Sequence, residues 1–372
     1  MKKKLFDSWL VIIFFFLVSL GIILVYSATY SFSLTKTGDP NYLFTRHLIG
    51  VGIGLALAVA FIFIPIEKIR RYIPLVVLLT IIMLLLALLP GIGRKIGGAN
   101  RWVNFGFFVF QPSELAKIVV VLYLASVLEK KQLYMKDYLR GTFPPLFLCV
   151  VIAGIILFQK DFSTAVFILL VVYVILYVGG ARFIHLMLSL IAAIPILAPF
   201  VLNSVYRLDR IRMLINLESD PQASYQLFQS LEAFKRGGFF SLDFGKGLKT
   251  IPYIFNDFIY SVAGEEMGFM GALFIMALFL FLWLRGLNIA HSYPEKSFPS
   301  TLAFGLSFIL VAQAIMNMAV TMALIFPTGI TLPFLSYGRS SFLISCIAMG
   351  LLIQLSRGRQ NLLSSASGMG KA

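Results

Sequence analysis

Carboxylates are scarce in this 372-residue chain, with only sixteen in all, so where they fall is informative. Three lie in or beside one apolar run, 251-IPYIFNDFIYSVAGEEMGFMG-271. Asp257 stands at its start. A carboxylate there is partly desolvated, which makes it a stronger general base near neutral pH. The same place suits a helix cap, because Asn256 and Asp257 are both good N-cap residues, and on pattern alone the cap ranks first. Glu265 and Glu266 lie about two helical turns further on. Ionisable groups at that depth face protein and find partners. As neighbours in sequence they point about 100° apart, so they serve different partners. Gly264, Gly268 and Gly271 permit close helix contact beside them. A structural polar pair is the better reading of the two glutamates.

Other polar residues cluster in three places. In 111-QPSELAK-117, Pro112 suits the first turn of a helix and Glu114 its positive end. Glu114 and Lys117 are three apart and can pair on one face, more as an internal tie than as a catalytic couple. In 206-YRLDRIR-212 and 233-AFKRGGFFSLDFGKGLK-249, the cations Arg207, Arg210, Lys246 and Lys249 alternate with glycines. They suit phosphate binding or a basic loop against anionic headgroups, and the two readings weigh equally. The segment 327-PTGITLPFLSYGRSS-341 is broken by Pro and Gly, and its Ser336, Tyr337 and Ser340 could line a cavity. Nothing in it specifies a reaction.

These residues must be positioned by membrane helices. The chain is 59% hydrophobic and 13% charged, with a mean hydropathy of +0.92. Long apolar runs without period-two alternation exclude a β-barrel and leave a polytopic all-α membrane protein. Crossings of ~20 residues each place ten spans near 9–29, 47–66, 72–89, 111–128, 142–158, 162–180, 183–203, 258–285, 299–323 and 340–356. The first follows Lys2-Lys3-Lys4 and is too long for a cleaved signal, so it reads as an uncleaved helix. With both termini in the cytoplasm, about sixteen Lys and Arg fall inside and about seven in the short outer loops, as the positive-inside rule requires. The long outer stretch, about 204–257, is exempt from that count. No composition break divides residues 1–372, which read as one membrane domain. The net charge of +15 is spread among flanking loops, which favours membrane lipids over nucleic acid as its partner. Cys149, Cys346 and the three histidines have no metal-ligand spacing.

Taken in order, four motifs resemble the SEDS family of membrane glycosyltransferases, the FtsW/RodA/SpoVE group. They are 100-NRWVNFGFFVFQPSELAK-117, 220-DPQASYQLFQSLEAFKRGGFFSLDFGKGL-248, 252-PYIFNDFIYSVAGEEMG-268 and 327-PTGITLPFLSYGRSS-341. The resemblance runs from the second span to the last. It implies polymerisation of lipid II into β-1,4 glycan strands outside the bacterial cytoplasmic membrane. It also implies a class B penicillin-binding protein and other divisome or elongasome membrane proteins as partners. The family's essential aspartate falls on Asp257, which reverses the cap-first ranking. Arg207 and Arg210, then Arg101, Lys246 and Lys249, become the cations expected to neutralise a departing pyrophosphate. Glu114 and Lys117 are expected to support the cavity, Ser336 and Tyr337 to line it, and Asp161, Glu265 and Glu266 to be structural polar residues. No cofactor is implied, although a divalent cation bridging phosphates is compatible with the chemistry.

The chain departs from the family pattern at two places of interest. The stretch 159-QKDFSTA-165 has Lys160 where the family has proline and Ser163 where it has glycine, and keeps Asp161. The loop SYGRSS has Arg339 in place of glycine. The wording of the second and fourth motifs leans toward the FtsW branch rather than the RodA branch. Two readings from other classes compete: a lipid II flippase, which needs no general base, and a non-catalytic scaffold for a penicillin-binding protein.

Overall fold

The computed structural model describes residues 6–96, 99–106, 108–202, 221–242 and 254–369. Helices dominate it. They are α1 (Ser8–Thr37), α2 (Tyr42–Phe63), α3 (Ile66–Leu86), α4 (Pro112–Lys130), α5 (Phe143–Phe158), α6 (Phe162–Val178) and α7 (Phe183–Leu202). Then follow α8 (Pro221–Gly237), the single-turn α9 (Ile254–Asp257), α10 (Ile259–Ala290), α11 (Phe298–Thr321) and α12 (Arg339–Met369). Each of the ten expected spans falls on one of these helices. Among the described residues, seven segments are long and apolar enough to cross a membrane by composition, five of them α1, α2, α3, α10 and α11; Tyr138–Phe158 contains α5, and Arg339–Gly358 is the first part of α12. The expected starts of the second and third spans were late: α2 begins five residues earlier than expected and α3 six. The missed residues include Arg46, Glu67, Arg70 and Arg71, charges that sit on the first turns of otherwise apolar helices.

Local chemistry sets many helix ends. Asp7 caps α1, accepting from Trp9 N at 3.1 Å. Pro112 opens α4 with Glu114 in its first turn, as the sequence indicated. Asp161 caps α6, accepting from Thr164 N at 3.4 Å. Asp257, by contrast, is not the cap of α10. The cap residue is Phe258, which offers no side-chain bond, while Asp257 ends the short α9. The carboxylate therefore belongs to a separate turn before the long helix, not to its cap position.

A small sheet, unexpected from the residue pattern, lies in the segment before α4. Strands β1 (Gly93–Ile96), β2 (Ala99–Asn104) and β3 (Val109–Phe110) pair antiparallel in that order. β2 carries Arg101.

At the centre of the bundle lies α4, with fourteen of its nineteen residues buried. It packs against α3, α5, α6, α11 and α12. Its two buried charges therefore face protein and not lipid, which is where ionisable groups within a membrane are tolerated. The segment between α11 and α12 folds back into this core, burying Ile330, Leu332, Phe334 and Leu335. Phe334 is locked edge-to-face against Phe14 of α1 at 5.3 Å.

Outside that core, α8 is amphipathic and packs along the first half of α10. At Gly268 the helix α10 is kinked, with φ 69° and ψ −171°, a conformation that essentially only glycine adopts. The kink receives the chain that leaves α8: Phe269 N donates to Gly238 O at 2.9 Å and Met270 N to Phe239 O at 3.2 Å. Glycine at this position thus supplies a backbone turn as well as the close helix contact expected from sequence.

Candidate functional site

The site is built around two polar residues one turn apart on α11. Gln313 and Asn317 each hold a carbonyl of the returning loop. Gln313 Nε2 donates to Thr331 O at 2.9 Å, and Asn317 Nδ2 donates to Ile330 O at 2.8 Å. Asn317 Nδ2 also donates to the backbone carbonyl of Asp257 at 2.8 Å. A second tie runs from Tyr337 N to Phe255 O at 2.8 Å. α9 and the loop 327–338 are thus fixed to each other and to α11.

These bonds engage the backbone of Asp257 and leave its carboxylate to be aimed separately. The residue is half-buried. Its Oδ2 lies 3.9 Å from where a Cβ on Gly329 would stand, so the carboxylate faces the loop. Gly329 has a φ of +73°, the left-handed region that glycine enters without strain.

Beneath the loop runs a chain of buried polar bonds. Glu114 and Lys117 form the expected i,i+3 pair, with Oε2 and Nζ 2.8 Å apart. Lys117 Nζ also donates to Gln313 Oε1 at 2.9 Å. Thr331 Oγ1 donates to Ser341 Oγ at 2.7 Å, which closes the far end. Gln111 links two further elements: its N–H donates to Ser340 Oγ at 3.1 Å and its amide to Asp161 Oδ2 at 3.3 Å. Arg101 completes this side, with Nη1 3.7 Å from Asp161 Oδ1 and Nη2 bonded to the Lys160 carbonyl. Lys160 itself has a φ of +63°, which proline cannot adopt, so the departure from the family pattern carries a different backbone turn.

Glu114 and Lys117 are 8% and 3% exposed and are satisfied by each other and by Gln313. Their geometry is that of a support. Ser336 is also buried, and its hydroxyl accepts from Leu332 N at 2.8 Å, closing a turn inside the loop. Tyr337 lies at the edge, its ring 5.4 Å from Phe255 and 5.6 Å from His47. Burial pushes its phenol above the ordinary value, while the Arg339 and Arg46 guanidiniums pull it back, so it is a neutral hydroxyl at pH 7. Arg339 extends over the Phe108 ring at 5.5 Å.

The two glutamates of α10 turn to different helices. Glu265 pairs with Arg236 of α8, Oε1 to Nε 3.3 Å, and Glu266 is buried and accepts from Ser27 of α1. Arg207, Arg210, Lys246 and Lys249 lie outside the described residues. Among the described residues no three His, Cys, Asp or Glu side chains come together in a metal-holding group. Gln313 and Asn317 were missed in the sequence. Their signal was available: two amides four apart inside an apolar span, a spacing that puts both on one helix face.

Comparisons with known proteins follow the same outline. The FTSW_RODA_SPOVE family model, described as cell cycle protein, matches residues 8–361. Among curated relatives, a probable peptidoglycan glycosyltransferase FtsW of Trichlorobacter lovleyi is 37% identical over 95% of this chain and 93% of its own. The protein of the same name from Coxiella burnetii is 34% identical over 96% of this chain and 97% of its own. Among solved structures, a chain from a peptidoglycan synthase complex described as coordinating polymerization and crosslinking superposes with a TM-score of 0.79, at 27% identity, over 95% of this chain and 98% of that one. The rod shape determining protein RodA of Thermus thermophilus superposes at 0.70, with 28% identity, over 95% and 97% of the two chains.

Proposed function

Because this chain belongs to the FtsW/RodA/SpoVE family of multi-pass membrane proteins, we propose that it is a peptidoglycan glycosyltransferase that polymerises lipid II. The activity in its relatives' names supports this reading. So does the arrangement at Asp257: a carboxylate facing the loop, on a backbone clamped by Asn317.

In this mechanism Asp257 takes the proton from the 4-hydroxyl of the acceptor GlcNAc. The hydroxyl oxygen forms a bond to the anomeric carbon of the donor MurNAc. The bond from that carbon to the undecaprenyl pyrophosphate breaks, and the pyrophosphate leaves with the electron pair. One displacement inverts α to β, so a single base and a stabilised leaving group suffice. Arg101 and the cations Arg207, Arg210, Lys246 and Lys249 are assigned to the departing charge. Glu114, Lys117 and Ser336 act by holding α4, α11 and the loop, and Tyr337 offers a neutral hydroxyl at the edge. No step passes through a divalent cation. If one binds, Asp257 is the residue that would hold it, and it would supply neutralisation of the pyrophosphate charge.

The chain acts as one membrane domain in the cytoplasmic membrane, with Asp257 on the outer side. A class B penicillin-binding protein is the partner that would cross-link the product. The FtsW names of its relatives favour the division branch.

Purified protein reconstituted with lipid II and its partner tests the proposal. Wild type is expected to make glycan polymer, and Asp257→Ala at least 100-fold less, the scale of losing a general base. Normal polymerisation by Asp257→Ala would remove that residue from its role. Failure of the wild type, with lipid II translocation intact, would favour the flippase.

A further inference from the structure

At the end of the bundle opposite Asp257, a cavity of about 580 Å³ opens between α3, α4 and α5. Its lining carries three cations, Arg70 and Arg71 on the first turns of α3 and Lys130 at the end of α4, against one carboxylate, Glu67. Arg70 is held in place: its guanidinium pairs with Glu129 and lies 5.4 Å over the Phe298 ring. Glu129 in turn accepts from Phe298 N at 3.0 Å. Arg71 and Lys130 are exposed and enter no ion pair among the described residues.

The interior of the cavity changes character. Tyr123 and Ser126 line it beside Pro74. Pro74 lacks an N–H, so the Arg70 carbonyl loses its helical donor and remains an acceptor there. Ile73, Val77, Val127 and Leu148 make the remaining wall apolar. Two of the bounding helices expose large apolar side chains on their outer faces: Leu75, Leu78 and Leu79 on α3, and Phe147 and Val151 on α5.

A basic rim, hydroxyl donors and an apolar wall between lipid-facing helices fit a phosphate that carries hydrocarbon. We propose that this cavity binds an anionic phospholipid. Its phosphate sits at Arg71 and Lys130 with Arg70 behind them, and its acyl chain runs down between α3 and α5. A soluble phosphate would satisfy the rim and leave the apolar wall unmatched. The positive-inside distribution assigns this end to the cytoplasmic leaflet, far from the glycan chemistry. The proposal does not depend on the role of Asp257.

The test places the full chain in nanodiscs of phosphatidylglycerol or phosphatidylcholine and counts retained lipid by native mass spectrometry. Glycerol 3-phosphate serves as the soluble competitor. Phosphatidylglycerol is expected to be retained over phosphatidylcholine. The double variant Arg71→Gln/Lys130→Gln should lower retention on the order of tenfold, from two lost juxtamembrane charges. Lys136→Gln/Arg140→Gln removes the same charge from the following loop and should leave retention unchanged. Glu67→Gln should raise it, which a misfolded chain would not do. Equal retention of the two lipids would overturn the proposal, as would equal loss in the two double variants, no gain in Glu67→Gln, or displacement by glycerol 3-phosphate.

Discussion

Lys117 lies inside a membrane bundle with 3% of its surface exposed. It is tolerated because Glu114 and Gln313 satisfy it and α4 is ringed by other helices. Removing one partner leaves the other charge buried and alone. Lys117→Met is therefore expected to lower stability by about 3–5 kcal/mol, while Lys117→Met with Glu114→Gln recovers most of the loss. Thermal unfolding in detergent reads both, and equal destabilisation by single and double variants would refute the account. At this scale the pairing of Glu114 with Lys117 was legible, because i,i+3 spacing on a helix dictates proximity. The third member, Gln313, is 196 residues away in sequence from Lys117, and no local rule connects them.

Among the helices, α10 shows how a break serves packing. Its kink at Gly268 docks residues 238–241 of the segment after α8, and Glu265 and Arg236 tie the same two helices. A Cβ at Gly268 would stand 2.9 Å from both Phe240 Cα and Ser241 N, too close without backbone movement. Gly268→Ala is expected to cost about 1–3 kcal/mol from the backbone conformation alone. The contact adds to that. It should lower the melting temperature and open residues 238–242 to protease. Unchanged proteolysis would mean that the kink does not hold α8. Sequence reading found the glycines of this helix and assigned them to close packing; the φ of Gly268 depends on the segment that docks there.

Across the whole molecule, polar chemistry divides between two ends. One end holds Asp257, the returning loop and the sheet. The other holds the Asp7–Arg285 pair, the bond from Asp7 N to Ser356 Oγ at 3.1 Å, and the basic cavity. The proposed orientation puts Asp39 outside and Lys136 inside. Both native cysteines are 0% exposed, so introduced thiols will label over a quiet background. Asp39→Cys should react with a membrane-impermeant maleimide in intact cells, and Lys136→Cys only after permeabilisation. The reverse pattern would invert the topology.

By itself the sequence determined a helical membrane bundle of long apolar segments and the run of motifs around Asp257. Those features follow from hydrocarbon thickness, backbone hydrogen bonding and spacing along one chain, all of which are local. Tertiary structure alone decided that Asp257 ends a separate turn instead of capping α10. It also decided that Asn317 binds that turn to the loop, and that three helices enclose a basic cavity at the far end. Each of these depends on groups distant in sequence finding partners away from water, where an unmet polar atom is costly and only the packed fold can supply the match.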